Sequence, residues 1–224
     1  IEMKYPDTKK EDIQDLIFGK YINDPYRWLE DFTSKEATDW VDRQNKLTDA
    51  FLENEYQRKI KEDLKDIWIT EDISIPFRRG DRTFYYYDNG KQQQSVFMMK
   101  DCNSCEAEVL LDPNQFSTDG TISLSDISVS PNGEYLAYAI SDGGSDWRTW
   151  KVFNIKEKRD TDDVIEWSKF SYATWESDSS GFYYQKYRQP DEALSDINKS
   201  PQLFFHRLGD EQGKDKLIYE DKEN

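Results

Sequence analysis

Three stretches of this chain repeat one pattern, and three copies are too few for the architecture they imply. Arg79-Gly80-Asp81-Arg82-Thr83-Phe84-Tyr85-Tyr86-Tyr87, Pro131-Asn132-Gly133-Glu134-Tyr135-Leu136-Ala137-Tyr138 and Ser177-Asp178-Ser179-Ser180-Gly181-Phe182-Tyr183-Tyr184 each join a Gly/Asn/Asp/Ser turn to an aromatic-rich strand. Aligning Phe84, Leu136 and Phe182 gives spacings of 52 and 46 residues. A strand-built repeat near that length is the signature of propeller blades. Propellers close with roughly four to eight blades, because an open ring leaves sheet edges and faces bare. The repeat therefore predicts an arc of a larger object.

The periodicity divides the chain in two. Over residues 1–72 it is helical, and no strands are expected there. Thr33-Ser34-Lys35-Glu36 reads as a capping box with Thr33 as N-cap. Ala37, Trp40, Val41, Leu47 and Phe51 then share one helical face, and Tyr56, Ile60, Leu64, Ile67 and Trp68 form a second stripe. Both stripes need a partner surface. From about residue 73 the period falls to two and turn signals multiply. Blade one is expected over 73–77, 82–87, 95–100 and 106–111. Blade two is expected over 121–129, 134–140, 147–155 and 164–167, and blade three over 171–176, 181–187, 202–207 and 216–219. The polar stretch 188–201 has no period and exceeds an ordinary hairpin loop. It reads as a surface loop or a gate.

Composition sets limits on function. Aromatics (7 Trp, 14 Tyr and 12 Phe) supply a core in a chain that is 34% charged. The formal charge of −16 opposes nucleic acid and anionic membrane surfaces, since a polyanion would be repelled. No window approaches the roughly 18 apolar residues of a spanning helix, and no signal-peptide pattern is visible. The first residue is Ile1, so a start further upstream is expected. These features lean toward the cytoplasm.

Catalytic and metal chemistry is hard to place. Cys102-Asn103-Ser104-Cys105 is a redox pair, half a zinc site, or two thiols in a β-turn. The turn is the expected reading, because zinc needs two further ligands and His206 is the sole imidazole. No cofactor or metal site is expected. His206 lies in Leu203-Phe204-Phe205-His206-Arg207, a strand pattern expected to turn it to solvent or to a neighbouring sheet. Gly143-Gly144-Ser145-Asp146-Trp147 begins like a nucleophile elbow but ends in Trp and lies between two strands. It is expected to be a hairpin loop. Adjacent carboxylates such as Glu62-Asp63 and Asp162-Asp163 read as solvated faces rather than a glycosidase pair.

Longer segments carry a family resemblance. Asp24-Pro25-Tyr26-Arg27-Trp28-Leu29-Glu30-Asp31 resembles a characteristic segment of the prolyl oligopeptidase family. Tyr5-Pro6, Gln44-Asn45-Lys46, Phe51-Leu52-Glu53, Leu111-Asp112-Pro113-Asn114, Gly144-Ser145-Asp146-Trp147 and Lys169-Phe170-Ser171 follow in the family's order. The resemblance implies a cytoplasmic serine endopeptidase that cleaves short peptides after proline. It implies a mainly β fold: an N-terminal helical segment, 1–72, packing on an α/β-hydrolase domain, then the first three blades of a seven-bladed propeller, 73–224. The hydrolase domain, with the Ser, Asp and His, and the remaining blades would lie beyond these residues, leaving this portion inactive alone. It also implies that Phe170 lines the pocket for the peptide residue upstream of proline, the competing reading being a blade-core Phe. The 188–201 stretch is similar to a mobile loop near the family's domain interface. A stand-alone propeller module recruiting a protein partner is the alternative to the peptidase.

Overall fold

The computed structural model describes residues 4–187 and 200–221, and the chain separates into two units, Ile1–Trp68 and Ile69–Asn224. Residues 188–199, most of the stretch read as a loop or gate, lie outside the described residues.

The first unit is not purely helical. Strands β1 (Gln14–Ile17) and β2 (Lys20–Asn23) form an antiparallel hairpin, against the expectation of no strands in this region. The strands are only four residues each, and an unbroken apolar run, Leu16-Ile17-Phe18, replaces the alternation that would mark them. Their turn, Phe18-Gly19, has positive φ at both positions, the backbone that matches strand twist. The Asp24–Asp31 segment secures this hairpin. Its 3-10 turn, Arg27–Glu30, presents the Arg27 guanidinium to Asp24 at 2.8 Å and to both oxygens of Asp15 on β1.

Helix α1 (Lys35–Leu52) is capped by Ser34, whose hydroxyl accepts from the Ala37 amide at 3.2 Å. Thr33, the expected cap, instead donates to Asp31 at 2.8 Å, so the cap falls one residue later. Trp28 and Trp40 meet edge to face at 6.5 Å, with Trp40 Nε1 donating to Thr8. Helix α2 (Glu55–Trp68) buries no residue. Tyr56, Ile60, Leu64, Ile67 and Trp68 are all exposed, so the α2 stripe stays uncovered, whereas the α1 stripe is exposed at Val41 and Phe51 but buried at Ala37 and half-buried at Trp40 and Leu47.

Among its described residues, the second unit contains a five-stranded antiparallel sheet and an eight-stranded one that divides at a single pairing into two four-stranded sheets, giving three in all. In the first, β3 (Asp72–Ile73) and β4 (Phe77–Arg79) both pair with β5 (Arg82–Asp88), followed by β6 (Val96–Lys100) and β7 (Glu108–Leu111). Pro76, with no N–H to offer a ladder, separates β3 from β4. The second sheet is β8 (Ile122–Val129), β9 (Tyr135–Asp142), β10 (Trp147–Asn154) and β11 (Arg159–Lys169). The third is β12 (Thr174–Trp175), β13 (Gly181–Lys186), β14 (Gln202–Arg207) and β15 (Lys216–Glu220). A single pairing, Ser168 with Lys186, joins the second and third sheets. Strand β11 starts five residues earlier than its alternation suggests, because the polar run Asp160–Asp163 hides a strand paired from Arg159 onward.

The repeat is visible in the packing. Phe84, Leu136 and Phe182 are each fully buried. Strand β9 is covered on both faces: Leu136 and Tyr138 join a cluster with Phe84, Phe97 and Met99, while Ala137 and Ala139 join Trp150, Ile165 and Phe182 on the other. Alternation of large and small residues lets one strand serve two packed layers.

The repeated turns also touch. Gly80 donates its amide to the Pro131 carbonyl at 3.1 Å, and Arg82 reaches the Gly133 carbonyl at 2.9 Å. A Cβ on Gly80 would lie 2.4 Å from the Asn132 carbonyl oxygen, and one on Gly133 would lie 2.5 Å from that of Arg79. The Asn132 amide in turn donates to Ser179 at 3.2 Å. All three turns are thus tied in series.

Cys102 and Cys105 sit in a turn between β6 and β7, with the Cys105 amide donating to the Cys102 carbonyl at 3.2 Å. The expected turn is present, but the thiols are joined as a disulfide. The turn itself brings the Cα atoms to 5.1 Å, within disulfide reach. Gly143–Trp147 forms the expected hairpin loop between β9 and β10, closed by the Ser145 amide on Asp142. No described helix is long and apolar enough to cross a membrane.

Candidate functional site

His206 is buried, and of the two expected settings, solvent or a neighbouring sheet, it takes the second. It lies on β14, with Nδ1 2.7 Å from Asp215 and Nε2 2.9 Å from Asp163 on β11. A ring that meets a carboxylate at both nitrogens is satisfied as the imidazolium. Burial opposes that charge, but hydrogen bonds from both carboxylates outweigh it and push the pKa up to about 9. Burial likewise disfavours the Asp163 carboxylate. Donation from His206, Thr161 and the Gly209 amide nonetheless holds it below the ordinary value. Tyr184 completes the cluster, its hydroxyl 2.6 Å from Asp215. With both nitrogens engaged and no exposure, this imidazole is structural.

Phe170 lies in a different setting. It follows the last residue of β11, in the connection to β12, and is 60% exposed with a φ of +52°. Positive φ is uncommon for a bulky residue and has to be held by its surroundings. The flanking backbone supplies the restraint. On one side, buried Ser168 donates to the Gln185 carbonyl at 2.9 Å and accepts from Trp150 Nε1 at 3.2 Å. On the other, Ser171 accepts from the Gln185 amide at 2.7 Å, and its carbonyl takes a bond from Arg148 at 3.1 Å. Phe170 is therefore excluded from the blade core and displayed on a fixed loop, beside exposed Tyr172.

A bulge builds the rest of the site. The β10–β11 register shifts between Arg148 and Trp150, and Trp167, opposite the shift, has a φ of +60°. Bulges re-aim side chains in this way. Here Trp167 meets Trp147 edge to face at 5.7 Å, and Tyr187 reaches Trp147 at 6.3 Å. The two tryptophans wall a cavity of about 310 Å³ that also takes in Ile140, Arg148, Asp142 and Glu166. Lys169 links cavity to loop. Its Nζ lies 5.0 Å from the Trp147 ring centre, 5.3 Å from that of Phe170 and 3.7 Å from Asp146. An apolar aromatic wall with a few fixed charges is the usual lining of a small-ligand pocket. Sequence reading singled out Phe170 but missed Trp147, Lys169 and Trp167. Trp147 and Lys169 stand inside the segments that carried the resemblance, whereas the bulge that turns Trp167 left no sequence signal.

The family model for the prolyl oligopeptidase N-terminal beta-propeller domain matches residues 5–224. The chain belongs to that family. Among members of the prolyl oligopeptidase family, it is 40% identical over 219 residues to the prolyl endopeptidase of Elizabethkingia miricola, covering 96% of this chain and 31% of that protein. A dual function macrocyclase-peptidase from Amanita bisporigera is 30% identical, across 98% of this chain and 34% of its own length. A solved prolyl endopeptidase structure superposes with a TM-score of 0.88 at 31% identity, covering 98% of this chain and 33% of that one. Prolyl oligopeptidase B from Galerina marginata, bound to a 35mer hydrolysis and macrocyclization substrate, gives 0.82 at 27% identity, covering 98% and 34%. The chain spans about a third of the length of these prolyl oligopeptidase relatives and corresponds to their propeller portion.

Proposed function

We propose that this chain is the propeller-bearing part of a cytoplasmic serine endopeptidase that hydrolyses short peptides after proline. The 40% identity to a prolyl endopeptidase across nearly all of these residues carries the reading. Residues 1–72 would pack on an α/β-hydrolase domain that bears the catalytic Ser, Asp and His, in keeping with the uncovered apolar stripe of α2 and the exposed Val41 and Phe51 of α1. Residues 73–224 would form the first three blades of the ring that admits oligopeptides and excludes folded proteins. No catalytic residue is assigned within this chain, and its one imidazole is locked between two carboxylates. The 224 residues alone should not turn over a proline-containing chromogenic peptide; turnover above buffer would overturn that assignment.

Within this reading, Phe170 forms a wall of the pocket for the peptide residue upstream of proline. Its exposure on a restrained loop supports that role. Phe170→Ala in the whole enzyme should weaken peptides with an apolar residue at that position by about 1–3 kcal/mol, roughly 10- to 200-fold in kcat/KM. Unchanged kinetics would remove Phe170 from the pocket.

A further inference from the structure

We infer that Lys169 is a positioning residue that sets the face Phe170 presents to the substrate, an inference that rests on the pocket reading above. The Phe170 backbone is held on both sides through Ser168 and Ser171, yet the side chain itself projects into solvent. An exposed aromatic ring on a fixed backbone still has free side-chain torsions, and only a neighbouring group can choose among them.

Lys169 is that neighbour. Its side chain is only 13% exposed, unusual for a lysine at the end of a strand. The ammonium stands within cation–π range of two rings at once, Trp147 on β10 and Phe170 on the loop, with Asp146 opposite as counter-charge. Trp147 is itself braced by Trp167 and Tyr187. The rigid sheet thus extends through Trp147 and the ammonium to the Phe170 ring. The two rings become walls of one aromatic surface continuous with the neighbouring cavity. A methionine at 169 keeps the apolar stem and loses the charge; an arginine keeps a cation able to lie over both rings.

The test uses the whole enzyme, with Lys169→Met, Lys169→Arg and Phe170→Ala compared on two substrates. One carries an apolar residue upstream of proline and the other has no side chain there. Lys169→Met should raise KM about 3- to 10-fold for the first substrate only, with kcat within about twofold, as loss of ground-state positioning implies. Lys169→Arg should restore most of that loss, and melting temperatures should match the parent. Phe170→Ala separates the two claims. If it raises KM while Lys169→Met does not, the positioning role fails and the pocket reading survives. If Phe170→Ala has no effect, both fail. Equal losses on both substrates, or no rescue by arginine, would make Lys169 merely structural and overturn the inference.

Discussion

Replacing His206 with alanine should destabilise the chain by about 3–5 kcal/mol, the cost of removing one member of a buried ionic set and leaving its partners unpaired. Asp163 and Asp215 would face each other across an empty site, both nearly inaccessible to water. The loss should appear as a fall in melting temperature or denaturant midpoint, and a variant as stable as the parent would contradict the arrangement. The parent should also show a defined pH response. The His206 pKa is raised to about 9 in the fold, against an ordinary value near 6.5. Its stabilising contribution is therefore complete below about pH 6.5 and is lost as pH rises through about 9. Asp163 acts in the opposite sense. Its lowered pKa makes its contribution complete above about pH 4 and lost on further acidification. Alanine at 206 should abolish the alkaline limb, which unfolding curves at pH 6 and pH 10 would reveal.

Gly133→Ala should cost about 3 kcal/mol although it adds one methyl group. The residue has a φ of +74°, where an L side chain is strained by about 1–2 kcal/mol. The new Cβ would also lie 2.5 Å from the Arg79 carbonyl oxygen. That obstacle is backbone, which cannot rotate aside, so overpacking adds about 1–3 kcal/mol. Alanine at Gly143, also at positive φ but with open space around its Cβ position, should cost only the conformational strain. Thermal melts of the two variants separate the contact from the strain; equal losses would mean that the turns do not press on one another.

Most of the second unit could be read in the sequence because its strands alternate and its turns are marked by Gly, Asn and Asp. The matched positions Phe84, Leu136 and Phe182 are core residues in all three sheets. Where the pattern failed, a local competitor can be named. The β1–β2 hairpin has strands too short to show a period of two, and their apolar residues fall side by side, as Leu16-Ile17 and Tyr21-Ile22. The α1 cap moved because Asp31 captures the Thr33 hydroxyl. The early half of β11 was masked by Asp160, Asp162 and Asp163, of which Asp163 meets His206 and Asp160 takes the Tyr138 hydroxyl. For His206 the pattern left solvent and a neighbouring sheet open, and the ring meets Asp163 of the neighbouring sheet, because a strand pattern tells which face a residue takes but not which polar groups meet it there. The site followed the same rule. Phe170 was found through a motif, but its exposure, its φ and the bulge behind Trp167 arise from pairing between β10 and β11, which no single segment encodes.

The tie running from Gly80 through Asn132 to Ser179 restricts how this arc can deform. Neighbouring sheets meeting turn to turn cannot slide past one another without breaking backbone contacts at that rim. They are tied at the far ends as well, where Gln94 bonds to Ile122 and Leu124 and Ser168 bonds to Gln185. Widening between these blades should therefore require contacts at both rims to break together, and a crosslink at either rim alone should add little further restraint.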